Sequence, residues 1–435
     1  MLLILTSAIT NRLRYSLSLT LGGLLGIGFE ITTSAEEFSR YTGPKVSYMK
    51  VPAGDALFIE ASELLFEQVL YPHELKTGHQ NGMPVLFLSE NPGSALSFDP
   101  FAAVFYMVSR YEEYHSHKKD KYGRFLVKES IAFRGDFLEE PVVHLWAEAL
   151  ARLLQREFPA LAIHRRSYRF VPTIDIDHAY AYLYRSVFRT IGGMGRSVLR
   201  GEVQDALLRA RVLLGSAADP YDNYAYIRSV HEPYNNQPLW FYLFADYGGD
   251  DNNIATGSKA TRALLRQLDE LQGVGIHPSL SSNKHYLKLE AEYKGLCKVL
   301  RRDVINSRQH FLKISLPKTY RSLMQIGILH DYSMGYASHP GFRAGIAIPF
   351  HFFDLIKNEE TNLIIHPVIL MDVTLKDYLR LSRENSLEKI RLMVDKTKSV
   401  NGEFVSLWHN ESLSNRGRWN GWREVYEKML PMAAG

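Results

Sequence analysis

The chain has 435 residues, 46% hydrophobic and 23% charged, which is material for two domains or for one large barrel with an extension. The net charge of +4 is small for this length and no dense Lys/Arg tract occurs, so a nucleic-acid partner is not expected. A single cysteine, Cys297, excludes an internal disulfide, and no uninterrupted apolar run reaches the ~18 residues of a membrane span.

The N-terminus resembles a signal peptide only faintly. Leu2-Leu3-Ile4-Leu5 precedes the charges Arg12 and Arg14, and no small-residue cleavage site follows Leu17–Leu25 promptly. A strand over 2–6, a helix over 9–24 and a strand over 28–33 is the reading adopted, with a cytoplasmic location. A helix is expected over 99–116, where Phe101, Val104, Phe105, Val108 and Tyr111 recur at helical spacing. Glu112 and Glu113 near its end read as a solvated face. A second amphipathic helix is expected over 141–157. The polar segment His164-Arg165-Arg166-Ser167 then marks a boundary between an N-terminal α/β domain, 1–165, and a second domain, 166–435.

Beyond the boundary, strands are expected at 168–175, 239–245, 273–277, 304–307, 328–332, 363–371 and 403–408. Helices are expected at 259–272, 287–302, 317–326 and 385–398, with Cys297 in the core of the second. Repeated β–α units imply a parallel sheet or barrel whose active residues sit at the C-terminal strand ends.

The chemical residues do fall at strand ends. The first reads Thr173-Ile174-Asp175-Ile176-Asp177. Alternation along a strand puts Asp175 and Asp177 on one face, where two carboxylates call for a cation or a proton partner. An acidic turn, an Asp-x-Asp phosphatase, an Asp-x-Asp glycosyltransferase and a Thr-x-Asp-x-Asp deacetylase all fit this stretch, although Ala179 stands where the phosphatase pattern needs Thr. The second strand end reads Gly275-Ile276-His277-Pro278-Ser279, with His285 further on, and a neutral imidazole there suits a metal. The third reads Ser307-Arg308-Gln309-His310, where Arg308 can hold a carboxylate. The fourth reads His330-Asp331-Tyr332-Ser333-Met334-Gly335-Tyr336, then Gly341-Phe342-Arg343-Ala344-Gly345; Tyr332, Tyr336 and Arg343 are candidate substrate contacts. The last reads Trp408-His409-Asn410, with His409 placed as a general acid and Trp408 as a substrate contact.

In this order the motifs resemble the polysaccharide deacetylase family, the NodB-homology or carbohydrate esterase 4 group, over residues 168–435. Ser-Arg-Gln-His-Phe, Asp-Tyr-Ser-Met-Gly-Tyr and Gly-Phe-Arg-Ala-Gly are similar to one bacterial branch, which carries an uncharacterised N-terminal domain with Ser-Arg-Tyr-Glu-Glu-Tyr, as at Ser109–Tyr114. The resemblance implies a distorted, TIM-like (β/α) barrel of about seven strands after the smaller N-terminal domain. It also implies a divalent metal, usually zinc, that activates water. By motif, Asp175 matches the base, Asp177 and His277 metal ligands, Arg308 the arginine that orients the base, and His409 the acid. One position departs from the family: the second ligand histidine, four residues after His277, is Ser281. A hydroxyl is a poor zinc ligand, so His285 or His310 is expected to complete the site.

The function these readings imply is a metal-dependent hydrolase that cleaves the C–N amide bond of an N-acetylated sugar or polysaccharide precursor, with a carbohydrate as its partner. Two other classes stand beside it. A non-catalytic carbohydrate-binding protein on the same fold would explain Ser281 but leaves Asp175, Arg308 and His409 idle. A metal-dependent glycosyltransferase would explain the two aspartates but not His277 or His409.

Overall fold

A computed structural model gives the fold; it describes the chain except residues 187–189, 194, 196–198, 200, 247, 249, 250, 252, 271 and 272. The N-terminal part holds a parallel sheet of β1 (Leu2–Thr6), β2 (Phe29–Thr32), β3 (Lys45–Met49) and β4 (Leu57–Glu60), in the order β2-β1-β3-β4. All five residues of β1 are buried, as a central parallel strand requires. Thr10 caps the helix Asn11–Leu17, which continues through a wider turn over Ser18–Leu24, so the expected helix is present with a changed pitch. A short hairpin, β5 (Gly78–Gln80) with β6 (Met83–Val85), follows.

The helix expected over 99–116 stops early. Asp99 caps Pro100–Val108, and Arg110 then turns left-handed at φ 54 before a single tight turn, Tyr111–Tyr114. The cause is electrostatic. That turn buries Glu113 and places it against Arg110 and Arg343, so it is part of an interior ion-pair network and not a solvated face.

The second part is a nine-stranded sheet: β7 (Arg169–Ile176), β8 (Leu239–Leu243), β9 (Val274–His277), β10 (Asn306–Ser307), β11 (His330–Asp331), β12 (Phe350–Asp354), β13 (Glu359–Ile365), β14 (Val368–Met371) and β15 (Glu403–His409). Its order is β12-β13-β11-β10-β9-β8-β7-β15-β14, parallel except for β12 against β13. The expected strand 363–371 is in fact β13 and β14, parted at His366-Pro367, because Pro367 lacks the N–H a ladder needs. These two strands are consecutive in sequence yet lie near opposite ends of the sheet. Two residues span at most ~10 Å, so the sheet has to curl round into an open barrel. The seven expected strands thus become eight parallel ones plus the antiparallel β12.

Helices Lys259–Asp269, Tyr286–Leu300, Lys318–Gln325 and Arg383–Ser399 match the expected ones; the tail expected at 271 and 272 lies outside the described residues. The smaller N-terminal α/β region and the barrel share one apolar core that runs from Leu2 to Ala433. No helix among the described residues is long and apolar enough to cross a membrane.

Candidate active site

The C-terminal ends of the parallel strands converge. Asp175 is the penultimate residue of β7 and lies in register with His409, the last of β15. Asp177 follows β7, His277 ends β9, and Arg308 follows β10. Alternation on β7 aims Thr173 and Asp175 the same way, and Arg308 finds both: Nη1 donates to Thr173 Oγ1 at 2.7 Å and to Asp175 Oδ1 at 2.8 Å. Arg308 Nε donates to the Tyr332 carbonyl at 2.9 Å, and the guanidinium lies 4.4 Å from the Phe241 ring centroid. Gly275 makes room for that ring, since a Cβ there would stand 2.7 Å from it. Asp175 is 2% and Arg308 0% exposed, so this is a fully desolvated pair.

Asp177 stands among three histidines. Its Oδ1 is 3.2 Å from His277 Nε2, and its Oδ2 is 3.5 Å from His310 Nε2 and 3.7 Å from His409 Nε2. Each ring is oriented from behind. His277 Nδ1 donates to the Arg308 carbonyl at 2.5 Å, His310 Nδ1 lies 2.9 Å from Asp251 Oδ1, and His409 Nδ1 lies 2.9 Å from Asp372 Oδ1. His277 Nε2 faces Asp177 Oδ1, a buried oxygen without a hydrogen-bond partner of good geometry.

A cation held between these atoms would satisfy the carboxylate oxygen and a neutral imidazole together. Ligand atoms about 2.0–2.1 Å from a tetrahedral zinc lie ~3.3 Å from one another. The nearest contacts, 3.2 Å from His277 to Asp177 Oδ1 and 3.5 Å from His310 to Asp177 Oδ2, are of that length, and one ligand atom from each of the three residues lies within 4.8 Å of the others. One carboxylate and two imidazoles fit a hydrolytic metal site with a position left for water.

Without a cation, protons fill the cluster. Burial pushes the Asp177 carboxyl up, but the charge on His310, hydrogen bonds from His277 and His310 and the charge on His409 together outweigh it and hold Asp177 well below the usual carboxylate range. Burial lowers the His310 pKa, while Asp177 and Asp251 lift it from 6.5 to about 9. Burial also lowers His409, and Asp372 above all, then Asp177 and Asp175, raise it to about 10.

A cavity of about 440 Å³ opens over the cluster, walled also by Tyr122, Arg124, Phe311, Tyr378 and Arg418. Tyr122 and Arg124 come from the N-terminal part. Tyr122 stacks on Phe311 at 4.5 Å, and Arg124 Nη1 donates to the Phe311 carbonyl at 3.0 Å. Phe311 and Leu312 both hold positive φ, 61° and 53°, directly after His310. The N-terminal loop thus braces the strained backbone that presents a candidate ligand.

Of the residues singled out from sequence, Asp175, Asp177, His277, Arg308, His310 and His409 come together, and five do not. His285 is exposed and opens the helix Tyr286–Leu300, outside the cluster. Arg343 is engaged twice by Glu113, at 2.6 and 3.0 Å, and covers the Tyr336 ring, whose hydroxyl accepts from Arg110. Tyr332 stacks on His366 with centroids 4.2 Å apart, and Trp408 is 0% exposed against Tyr426. Tyr332, Tyr336, Arg343 and Trp408 line no part of the cavity. Ser281 is also elsewhere, accepting from Lys288 Nζ at 2.5 Å. Asp372 and Asp251 were missed. Asp372 directly follows an apolar strand and so carried the same signal as the others. Asp251 stands eight residues beyond β8 in a polar loop, where nothing marks it.

Residues 2–159 match a family described as "Family of unknown function (DUF7033)". No curated protein matches the sequence. Among solved structures, the chain is similar to a protein from Mycobacterium smegmatis described as a polysaccharide deacetylase, at 12% identity over 62% of this chain and 85% of that one, with a TM-score of 0.40. It is also similar to Puue allantoinase, at 9% identity over 61% of this chain and 84% of that one, with a TM-score of 0.35.

Proposed function

We propose that the chain is a metal-dependent amidohydrolase that removes an acetyl group from an N-acetylated sugar. The observation that carries this reading is the three-ligand set Asp177, His277 and His310, flanked by a carboxylate fixed by Arg308 and an imidazole fixed by Asp372. Zinc held by those three residues would polarise the amide carbonyl and lower the pKa of water. Asp175 takes the proton of the attacking water: the Arg308 charge at 2.8 Å holds its Oδ1, leaving Oδ2 as the free acceptor. His409, whose pKa Asp372 above all raises, donates from Nε2 to the leaving amine, while Asp372 holds Nδ1 and keeps the ring oriented. Arg308 and Thr173 position Asp175 and stay outside the proton transfers.

The experiment is an acetate-release assay on N-acetylated sugars, with zinc content measured on the same preparation. Acetate release that needs zinc and is lost in Asp175→Asn supports the reading. A zinc-loaded chain that releases no acetate from nucleotide-linked, lipid-linked or free N-acetyl sugars refutes it.

A further inference from the structure

Tyr122 stands between two cavities. One covers the Asp177 cluster; the other, of about 720 Å³, is lined by Lys121, Lys284, His285, Lys288 and Lys313. Two acidic residues share the second wall, Asp246 and Asp251. Asp251 is already engaged, since its Oδ1 lies 2.9 Å from His310 Nδ1 and accepts from the Leu280 amide at 3.1 Å. Four ammonium groups thus share a wall with two carboxylates, and Asp120 and Glu292 add negative charge behind Lys313 and Lys288.

Lys313 is the most informative of these. The residue is 6% exposed overall, and its ammonium reaches the cavity, where it makes no ion pair and no hydrogen bond among the described residues. Its Nζ points under the turn at Gly123, at 3.8 Å from where a Cβ would stand, so the N-terminal loop roofs it. Burial, then Lys284, and more weakly Lys119, push its pKa down, with Asp120 the one opposing charge. Lys288 is aimed by its bond to Ser281 Oγ, which pairs with Ser279 Oγ at 3.1 Å, itself held by Glu292 at 2.6 Å. Lys284 and Lys121 are exposed on the rim, and Lys121 lies over the Tyr122 ring at 4.9 Å.

Ammonium groups that line one cavity and outnumber the carboxylates there suit a compact polyanion. The neighbouring cavity is the one assigned above to an acetylated sugar, and Asp251 and Tyr122 are the partition between the two. We propose that the lysine basin is a phosphate-binding subsite. It holds the phosphoryl group of an activated sugar, nucleotide-linked or lipid-linked, whose acylated ring lies over Asp177. The subsite rests on the deacetylase reading for the sugar, but not for the anion. It also gives the N-terminal part a role, since that part supplies Lys121 and roofs Lys313.

The test is isothermal titration of the full chain with UDP, farnesyl phosphate and inorganic pyrophosphate, in wild type, Lys313→Met, Lys284→Gln and Asp177→Ala. The expectation is binding of a phosphorylated probe that weakens at least about tenfold in Lys313→Met, with zinc content unchanged, and persists in Asp177→Ala. UDP binding without farnesyl phosphate binding identifies a nucleotide carrier, and the reverse identifies a lipid carrier. Lys284→Gln changes an exposed side chain and keeps the test sound if Lys313→Met does not fold; it too weakens the probe. No binding of any phosphorylated probe at about 1 mM overturns the subsite. So does binding lost in Asp177→Ala but kept in both lysine variants, which would put the anion on the metal. Probe binding without acetate release would leave the subsite standing and remove the deacetylase reading.

Discussion

The molecule buries two ionic clusters, and they differ in whether their charges are paired one for one. In the first, Arg110 and Arg343 meet Glu112 and Glu113, with contacts of 2.6 to 3.1 Å that include the Tyr336 hydroxyl. Two positive and two negative charges cancel, and burial is offset by bidentate pairing that holds Glu113 down at about 2. In the second, one carboxylate faces three imidazole Nε2 atoms at 3.2 to 3.7 Å, and its Oδ1 has no hydrogen-bond partner of good geometry. The first cluster joins the N-terminal part to the barrel with each carboxylate matched by a guanidinium, although Arg110 Nη1 is left without a partner. The second is organised by outer partners, Asp251, Asp372 and the Arg308 carbonyl, around a space that protons or a cation must fill. Burial, charge and a single unpartnered atom do not distinguish a site from a joint; a carboxylate ringed by imidazoles oriented from behind and opening on a cavity does.

Variants at each cluster sharpen that contrast. Asp175→Asn should lower the acetate-release rate by about 10²–10⁴-fold, the usual range for a lost general base. Its amide oxygen still accepts from Arg308, so zinc content should stay at the wild-type level. A rate within threefold of wild type would remove Asp175 from the chemistry. Arg343→Ala should cost about 3–5 kcal/mol of stability, because it leaves Glu113 buried without one of its cations. Chemical denaturation reads that loss, while zinc per folded chain should not change. A variant as stable as wild type would show that the joint carries no weight.

Sequence spacing was enough to find the strand ends and their residues, because a parallel sheet puts its reactive positions where apolar runs stop. Asp175, Asp177, His277, Arg308 and His409 were each readable in that way. Asp372 was readable by the same rule but was hidden by reading 363–371 as one strand that simply ended. The choice between His285 and His310 was not readable, because it depends on how the loop after β10 turns back, with Phe311 and Leu312 left-handed under the N-terminal loop. Tyr336 and Arg343 misled for a related reason. Aromatic and guanidinium groups near a site read alike whether they face substrate or a second domain, and only Glu113, more than two hundred residues away, decides it. Asp251 lies in a loop with no periodicity, so tertiary placement alone shows what it does.

The smallest effect expected concerns pH. Without metal, the folded protein holds protons on His310 and His409, with pKa values raised from 6.5 to about 9 and about 10. The stability they contribute is fully present below pH ~6.5 and is lost as pH rises through 9 and 10. The metal-free chain should therefore weaken over pH 7–10 in denaturation, and His310→Gln should flatten the lower part of that slope. Zinc must displace the His310 proton, so its affinity should rise by up to about tenfold per pH unit toward pH 9. An affinity that falls with pH over this interval would contradict the ligand assignment.

The measurement that bears most directly on the central claim is zinc binding by the full chain, with His310→Ala and His285→Ala titrated beside wild type. Wild type should bind about one ion, His310→Ala should bind at least ~10–100-fold more weakly, and His285→Ala should match wild type. A wild-type chain that binds no zinc, or a His310→Ala variant that binds it as tightly as wild type, would contradict the account.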